Sequence, residues 1–311
     1  MRVCSLLPSA TEMVFALGQG HRLVGRTHEC DYPPEALLIP PVTRANIPPG
    51  LTSAQIDTAV SGTLDAAGSL YELDLPLLAQ LRPDLLLSQR LCDVCAVSAD
   101  RVEQWVAGLE PRPQVLNLEP HSLDDILDNL RTVARAMGCE PAAEPVIAGL
   151  RRRIDAVAQK TRNLTYRPRV FCMEWVDPPY CGGHWMKELV EIAGGRDDLA
   201  VLHRPSYRID WRRVRDFAPE VIVLTCCGFF LDRNLREAEL LAGFEGALDL
   251  PAVKAGRVYA ADGSSYFSRP GPRIVDSLEI LAHCIHPELF PPPPLDEAFA
   301  NVSLSAAALR A

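Results

Sequence analysis

No apolar run in this 311-residue chain reaches the ~18 residues that a helix needs to cross a bilayer, so membrane insertion is not expected. Aromatic residues are few, at 6%, no basic run interleaves with them, and the formal net charge is −9. Nucleic acid, which calls for a concentrated positive face, is therefore not an expected partner. There is no Gly-rich phosphate loop, no G-x-S-x-G elbow and no H-E-x-x-H helix, and no Ser-His-Asp set emerges from local spacing. Nor is a secretory leader legible. Arg2–Leu7 already reads as a strand and Ser9-Ala-Thr-Glu opens a helix, which leaves nothing to be cleaved. A cytoplasmic location is the expectation.

Ten cysteines, at 4, 30, 92, 95, 139, 172, 181, 226, 227 and 284, sit mostly in or beside apolar runs, which is not the spacing of a small disulfide scaffold. Cys4, Cys139, Cys172 and Cys284 read as small buried hydrophobes. Cys92-Asp-Val-Cys95 is a single C-x-x-C, whereas zinc ordinarily takes a second pair. A site for Zn²⁺ or another soft metal would have to gather Cys92, Cys95, His28, Cys30 and Cys226 in three dimensions. Buried or merely reactive thiols are the other reading of the same residues.

What is present is a repeating α/β pattern on either side of one long helix. From Glu140 to about Thr161, Ala143, Val146, Ile147, Leu150, Ile154 and Val157 recur at helical spacing, with Pro141 near the start and Gly138 ending the helix before. Glu72-Leu-Asp-Leu…Arg82-Pro-Asp-Leu-Leu-Leu-Ser-Gln aligns without gaps on Arg208-Ile-Asp-Trp…Ala218-Pro-Glu-Val-Ile-Val-Leu-Thr. Each reads as a helix begun by Asp, closed at Pro and followed by a strand apolar throughout. Such strands, alternating with helices, imply parallel sheets covered on both faces. The expected architecture is α/β, with two doubly wound parallel-sheet lobes, residues 1–138 and 166–290, joined by a rigid helix over 139–165, and a cleft between the lobes. Residues 38–62 read as irregular, and 291–311 as a Pro-rich, poorly ordered tail.

In open parallel sheets, ligands bind beyond the carboxyl ends of the strands. The residues placed there are unusually rich in Cys, His and aromatic types. They include Ser9, His28, Cys30, Tyr32 and Gln89 in the first half, and Glu174, Trp175, Tyr180, His184, Trp185, Cys226, Phe229, Tyr266, Phe267 and Arg269 in the second. Aromatic side chains on strand-end loops suit a flat ligand, and polar neighbours suit its rim. Ordinary packing for the aromatics, and helix capping for His184, are the bland alternatives. His203 reads as a surface residue.

The chain resembles the helical-backbone substrate-binding proteins of ABC importers, the class that takes vitamin B12, haem and iron–siderophores, and most of all its vitamin B12-binding members. The likeness covers about residues 2–287. It rests on Ser5-Leu-Leu-Pro-Ser-Ala-Thr-Glu, Asp31-Tyr-Pro-Pro, Arg82-Pro-Asp-Leu, Asp177-Pro-Pro-Tyr-Cys-Gly-Gly and Arg269-Pro-Gly-Pro-Arg. The resemblance implies a binding protein rather than an enzyme, with cobalamin or a related corrinoid as its small-molecule ligand and Tyr32, Tyr180 and Tyr266 near it. Where the B12 binder carries an aromatic residue, this chain has Gln89 and then the C-x-x-C. The acidic residues that dock such proteins to a permease find no match here, so permease docking is not part of the expectation. The rival readings are a thiol- or metal-dependent enzyme using Cys92, Cys95 and Cys226, and a haem or iron-chelate binder.

Overall fold

The computed structural model describes residues 1–48, 50–67, 70–90 and 99–304, without the side chains of residues 64–67 and 99. They fall into two compact units. The first comprises Met1–Pro120, Asp124–Gly149 and Pro270–Pro272; the second comprises His121–Leu123, Leu150–Arg269 and Arg273–Ala311.

In the first unit the chain runs β1 (Val3–Ser5), α1 (Pro8–Ala16), β2 (Leu23–Arg26), β3 (Thr43–Ala45), α2 (Ser53–Ala67), β4 (Tyr71–Leu73), α3 (Leu75–Leu81), β5 (Leu85–Gln89), α4 (Ala99–Val106), β6 (Gln114–Leu118) and α5 (Leu123–Ala136). Four strands form a parallel sheet in the order β2-β1-β5-β6, while β3 and β4 pair separately as an antiparallel ribbon. Every residue of β1 and β5 is buried, as continuous apolar runs between helical layers require.

The next helix, α6 (Ala143–Thr161), is a single uninterrupted element preceded by a 3₁₀ turn at Glu140–Ala142. Ala143, Ile147, Leu150 and Val157 of the expected stripe are buried. The second unit then runs β7 (Val170–Trp175), β8 (Tyr180–Cys181), α7 (Met186–Ile192), α8 (Trp211–Phe217), β9 (Val221–Leu224), α9 (Leu231–Glu239), α10 (Pro251–Lys254), β10 (Val258–Ala261), α11 (Ile274–Ile285) and β11 (Phe299–Asn301). Its sheet has the order β11-β10-β9-β7-β8; β10, β9 and β7 are parallel, and the edge strands β8 and β11 are antiparallel to their neighbours. Phe171, Met173, Ile222, Leu224, Val258 and Ala260 make the centre of one face of its core.

The sequence repeat is also a structural one. Asp74 caps α3 by accepting the Leu77 N–H at 2.9 Å, and Asp210 caps α8 by accepting the Arg212 N–H at 2.9 Å. Both helices end on a left-handed residue, Arg82 at φ 44° and Ala218 at φ 51°, ahead of the proline. The carboxylate after each proline then takes the backbone N–H at the start of the neighbouring strand: Asp84 from Arg2 at 2.6 Å, Glu220 from Arg169 at 3.0 Å.

Two expectations are corrected. Part of the stretch read as irregular is α2, opened by a reciprocal capping box in which Thr52 Oγ1 accepts the Gln55 N–H and Gln55 Oε1 accepts the Thr52 N–H. Its small polar residues Ser61, Gly62 and Thr63 interrupt the apolar period that would have marked it. The described part of the Pro-rich tail likewise contains a strand. After its prolines, β11 completes the sheet against β10, with Ala298 and Val302 buried beside it, because pairing satisfies an otherwise open edge. Among the described residues no helix is long and apolar enough to cross a membrane.

Candidate functional site

At the carboxyl edge of the second sheet, β7 ends in Glu174 and Trp175 and turns back as the short hairpin strand β8. Glu174 Oε1 accepts the Gly183 N–H at 2.8 Å, tying the strand end to the Gly182-Gly183 loop beyond the hairpin. Only glycine fits at 183, because a side chain there would overlap the backbone of Pro205 and Ser206. The half-exposed Trp175 ring lies 4.8 Å from that of Phe229, and the Arg233 guanidinium stands 4.7 Å over the other ring of the pair. Asn234, fully buried, donates to the Phe229 and Ala261 carbonyls at 3.1 and 2.8 Å, so the loop carrying Phe229 is pinned to the end of β10.

Tyr180 and Tyr266, both half-buried, each have an arginine over the ring, Arg208 at 6.0 Å and Arg273 at 5.3 Å. Tyr266 belongs to a π-helical turn, Gly263–Phe267, begun by Asp262, whose carboxylate accepts the Ser265 N–H at 2.7 Å. Burial holds the Asp262 carboxyl above the usual carboxylate range, against the pull of its Ser265 bonds and of Arg269 and Arg273.

Trp185 and Phe267 depart from the expectation that they wall a ligand. They are 5% and 3% exposed, and the Trp185 indole N–H donates to the Phe267 carbonyl at 3.2 Å. Arg269 is buried as well. These three support the edge from beneath and present little surface.

His184 sits on that support. Its ring stacks on Trp185 with centroids 5.4 Å apart, and its backbone is held left-handed at φ 51°, where non-glycine residues are uncommon. Burial, with a smaller contribution from His121, pushes its imidazole down to about 4, so it is neutral at pH 7. His121 lies 6.2 Å away, ring to ring, and His203 Nδ1 hydrogen-bonds the His121 carbonyl oxygen at 3.0 Å. His203 was not a site candidate from sequence, where it reads as a lone surface histidine.

In the first unit, Ser9 and Gln89 are buried at the strand ends, and Tyr32 is 45% exposed. His28 Nδ1 pairs with Thr43 Oγ1 at 2.8 Å; its imidazole is pushed down by burial and, less, by Arg26. Cys30 Sγ lies 3.0 Å from Thr11 Oγ1 in a buried setting. Among the described residues the proposed metal set finds no ion site. His28 and Cys30 are committed to local hydrogen bonds, and the Cys226 thiol is fully buried and raised well above its ordinary range by that burial. Cys92 and Cys95 lie outside the described residues, and among those described no group of three His, Cys, Asp or Glu side chains is placed to hold an ion.

The periplasmic binding protein family model matches residues 3–264. The chain belongs to that family. Among curated periplasmic-binding-type relatives, an uncharacterised ABC transporter substrate-binding lipoprotein of Bacillus subtilis, YvrC, is 24% identical over 93% of this chain and 81% of its own length. The vitamin B12-binding protein of Vibrio cholerae is 21% identical over 89% of this chain and 86% of its own. Among solved structures of this fold, a periplasmic haem-binding protein from Pseudomonas aeruginosa superposes with a TM-score of 0.71 at 20% identity, covering 98% of this chain and 99% of that one. The family is one of solute-binding proteins that serve ABC transporters, not of enzymes. That membership stands against the thiol-enzyme reading.

Proposed function

We propose that this protein binds a metal–tetrapyrrole, and that cobalamin or a related corrinoid is its ligand. The observation that carries the reading is the Trp175–Phe229 pair with Arg233 over it, half-exposed at the carboxyl edge of the second sheet. A flat macrocycle with polar arms finds an apolar wall there and cationic donors at its border. Tyr180 with Arg208 and Tyr266 with Arg273 repeat the same combination on the same unit. Relatives named for vitamin B12 and for haem support the ligand class. Haem is the second reading, favoured by the half-exposed, neutral His184 imidazole. A carrier or buffering role in the cytoplasm is part of the proposal; among the described residues Cys4, Cys172, Cys181, Cys226 and Cys284 are buried thiols outside any disulfide, which accords with a reducing compartment.

Side-by-side titration of tryptophan fluorescence with cyanocobalamin, adenosylcobalamin, cobinamide and haem tests the ligand. Saturable quenching by the corrinoids, at a micromolar Kd or tighter (about −8 kcal/mol or better), is the expected result. Saturation by haem alone transfers the assignment to haem. Cell fractionation with antibody detection tests the location.

A further inference from the structure

The amino edge of the second sheet, opposite the aromatic carboxyl edge, gathers arginines. Residues 162–169 lead from α6 into β7 and carry Arg167 and Arg169. Backbone pairing brings Arg196 beside them: its N–H donates to the Pro168 carbonyl at 2.9 Å, and its carbonyl accepts the Val170 N–H at 2.8 Å. Thr165, Tyr166, Arg167, Arg169 and Arg196 line a cavity of about 310 Å³, and no carboxylate is among them. An adjoining cavity of about 460 Å³ shares Thr165 and Tyr166 and adds Arg257, which precedes β10, and Glu288. In a chain of net charge −9, three guanidinium groups around one cavity reverse the sign locally.

Two of the three guanidinium groups are fixed by backbone. Arg167 Nη1 and Nη2 donate to the Glu191 and Thr161 carbonyls at 2.8 and 3.2 Å, and Arg169 Nε donates to the Ala218 carbonyl at 2.9 Å. Those carbonyls stand at the ends of α7, α6 and α8, where a cation is favoured. A guanidinium has five N–H donors, so these bonds orient the group and leave donors for an oxyanion. Two carboxylates compete. Glu220 lies 3.4 Å from Arg169 Nη1 and also accepts from the Tyr166 hydroxyl. Asp198 lies 3.1 Å from Arg196 Nε, with the two side chains 54% and 56% exposed, and so exposed a pair is weak.

We propose that this cavity is an anion site for a small phosphoryl compound of the diphosphate class, held by Arg167, Arg169 and Arg196. Guanidinium forks match phosphate oxygens two at a time, which a halide cannot reciprocate. A diphosphate is long enough to reach from the first cavity toward Arg257 in the second. The site lies on the other edge of the sheet from the tetrapyrrole reading and does not depend on it.

The test is isothermal titration of the full chain with sodium pyrophosphate at pH 7.5, in metal-free buffer with ionic strength held constant by NaCl. Saturable binding at one anion per chain is expected. Arg196→Gln removes one fork at an exposed position and should weaken binding by about tenfold. Asp198→Asn removes the acid that competes for Arg196 and should tighten binding by about twofold. A purely structural role for these arginines would move neither value, and melting curves check that both variants fold. Absence of saturable binding by the wild-type chain, or affinity unchanged in both variants, overturns the proposal. Corrinoid quenching measured on the same samples without pyrophosphate reports separately on the tetrapyrrole reading.

Discussion

Gly263 packs so closely on Cys226 that a Cβ built on it would overlap the Cys226 carbonyl oxygen and the Thr225 backbone. The obstruction is backbone on the end of β9, which cannot rotate aside. Gly263 also opens the π-helical turn that carries Tyr266, and the next residue, Ser264, donates its N–H to the Phe229 carbonyl at 3.0 Å. One hydrogen at position 263 therefore lets the loops after β9 and β10 meet.

Gly263→Ala should destabilise the protein by about 3 kcal/mol or more, because the strand end must shift to admit a methyl group. Urea denaturation gives the number. A loss below 1 kcal/mol would mean that the two loops can separate freely.

Trp175 and Trp185, ten residues apart, should behave differently. Trp175→Ala removes half-exposed surface and should weaken cobalamin binding by about 1–3 kcal/mol with little change in Tm. Trp185→Ala empties a buried site and should cost about 3–5 kcal/mol of stability. Fluorescence titration and thermal melts on both variants separate the two roles; a binding defect confined to Trp185→Ala would reverse them.

Asp197 is fully buried. One carboxylate oxygen accepts the Leu199 and Ala200 N–H groups at 2.9 and 3.0 Å, and the other has no partner. Burial pushes its carboxyl up to about 6, against the two backbone bonds and Lys187. A carboxyl raised in the folded state holds its proton after the unfolded chain has lost it. Stability therefore falls as pH rises from about 4 to about 6, by about 3 kcal/mol at most, and the slope ends above that. Asp197→Asn keeps the acceptor and removes the charge. Relative to wild type it should gain stability progressively across that window and stay ahead at pH 7.5, in urea melts at pH 4.5, 5.5 and 7.5. A pH-independent difference would show that Asp197 does not titrate there.

The two repeat copies predict matched effects. Asp74→Ala and Asp210→Ala each remove an N-cap and should cost about 1 kcal/mol. Ala218→Gly and Arg82→Gly relieve left-handed C-caps and should each stabilise by up to about 1 kcal/mol. Denaturant midpoints of the four variants check this; a loss of stability in both glycine variants would contradict the cap geometry.

Much of this was written in the chain. β6 runs Gln114–Leu118 as its apolar run indicates, and α3, α8 and the strands after them lie within a residue or two of the gapless repeat. Local rules suffice there: an Asp cap, a proline stop and a short β run act over a few residues. The helix α2, opened by the Thr52–Gln55 capping box, was missed from sequence because polar residues along it mask its period. The candidate site divides differently. Sequence placed Glu174, Trp175, Tyr180, Phe229 and Tyr266 at strand ends because a parallel sheet has one carboxyl edge. It did not reveal that Trp185 and Phe267 turn inward, that Arg208, Arg233 and Arg273 cover the aromatic rings, or that His121 and His203 join His184. Those outcomes depend on side-chain direction and on contacts between residues as much as 82 positions apart, such as His203 with His121. Spacing along a chain carries the period of a helix or strand; which distant side chains share a surface is set only when the packed elements fix each other's orientation.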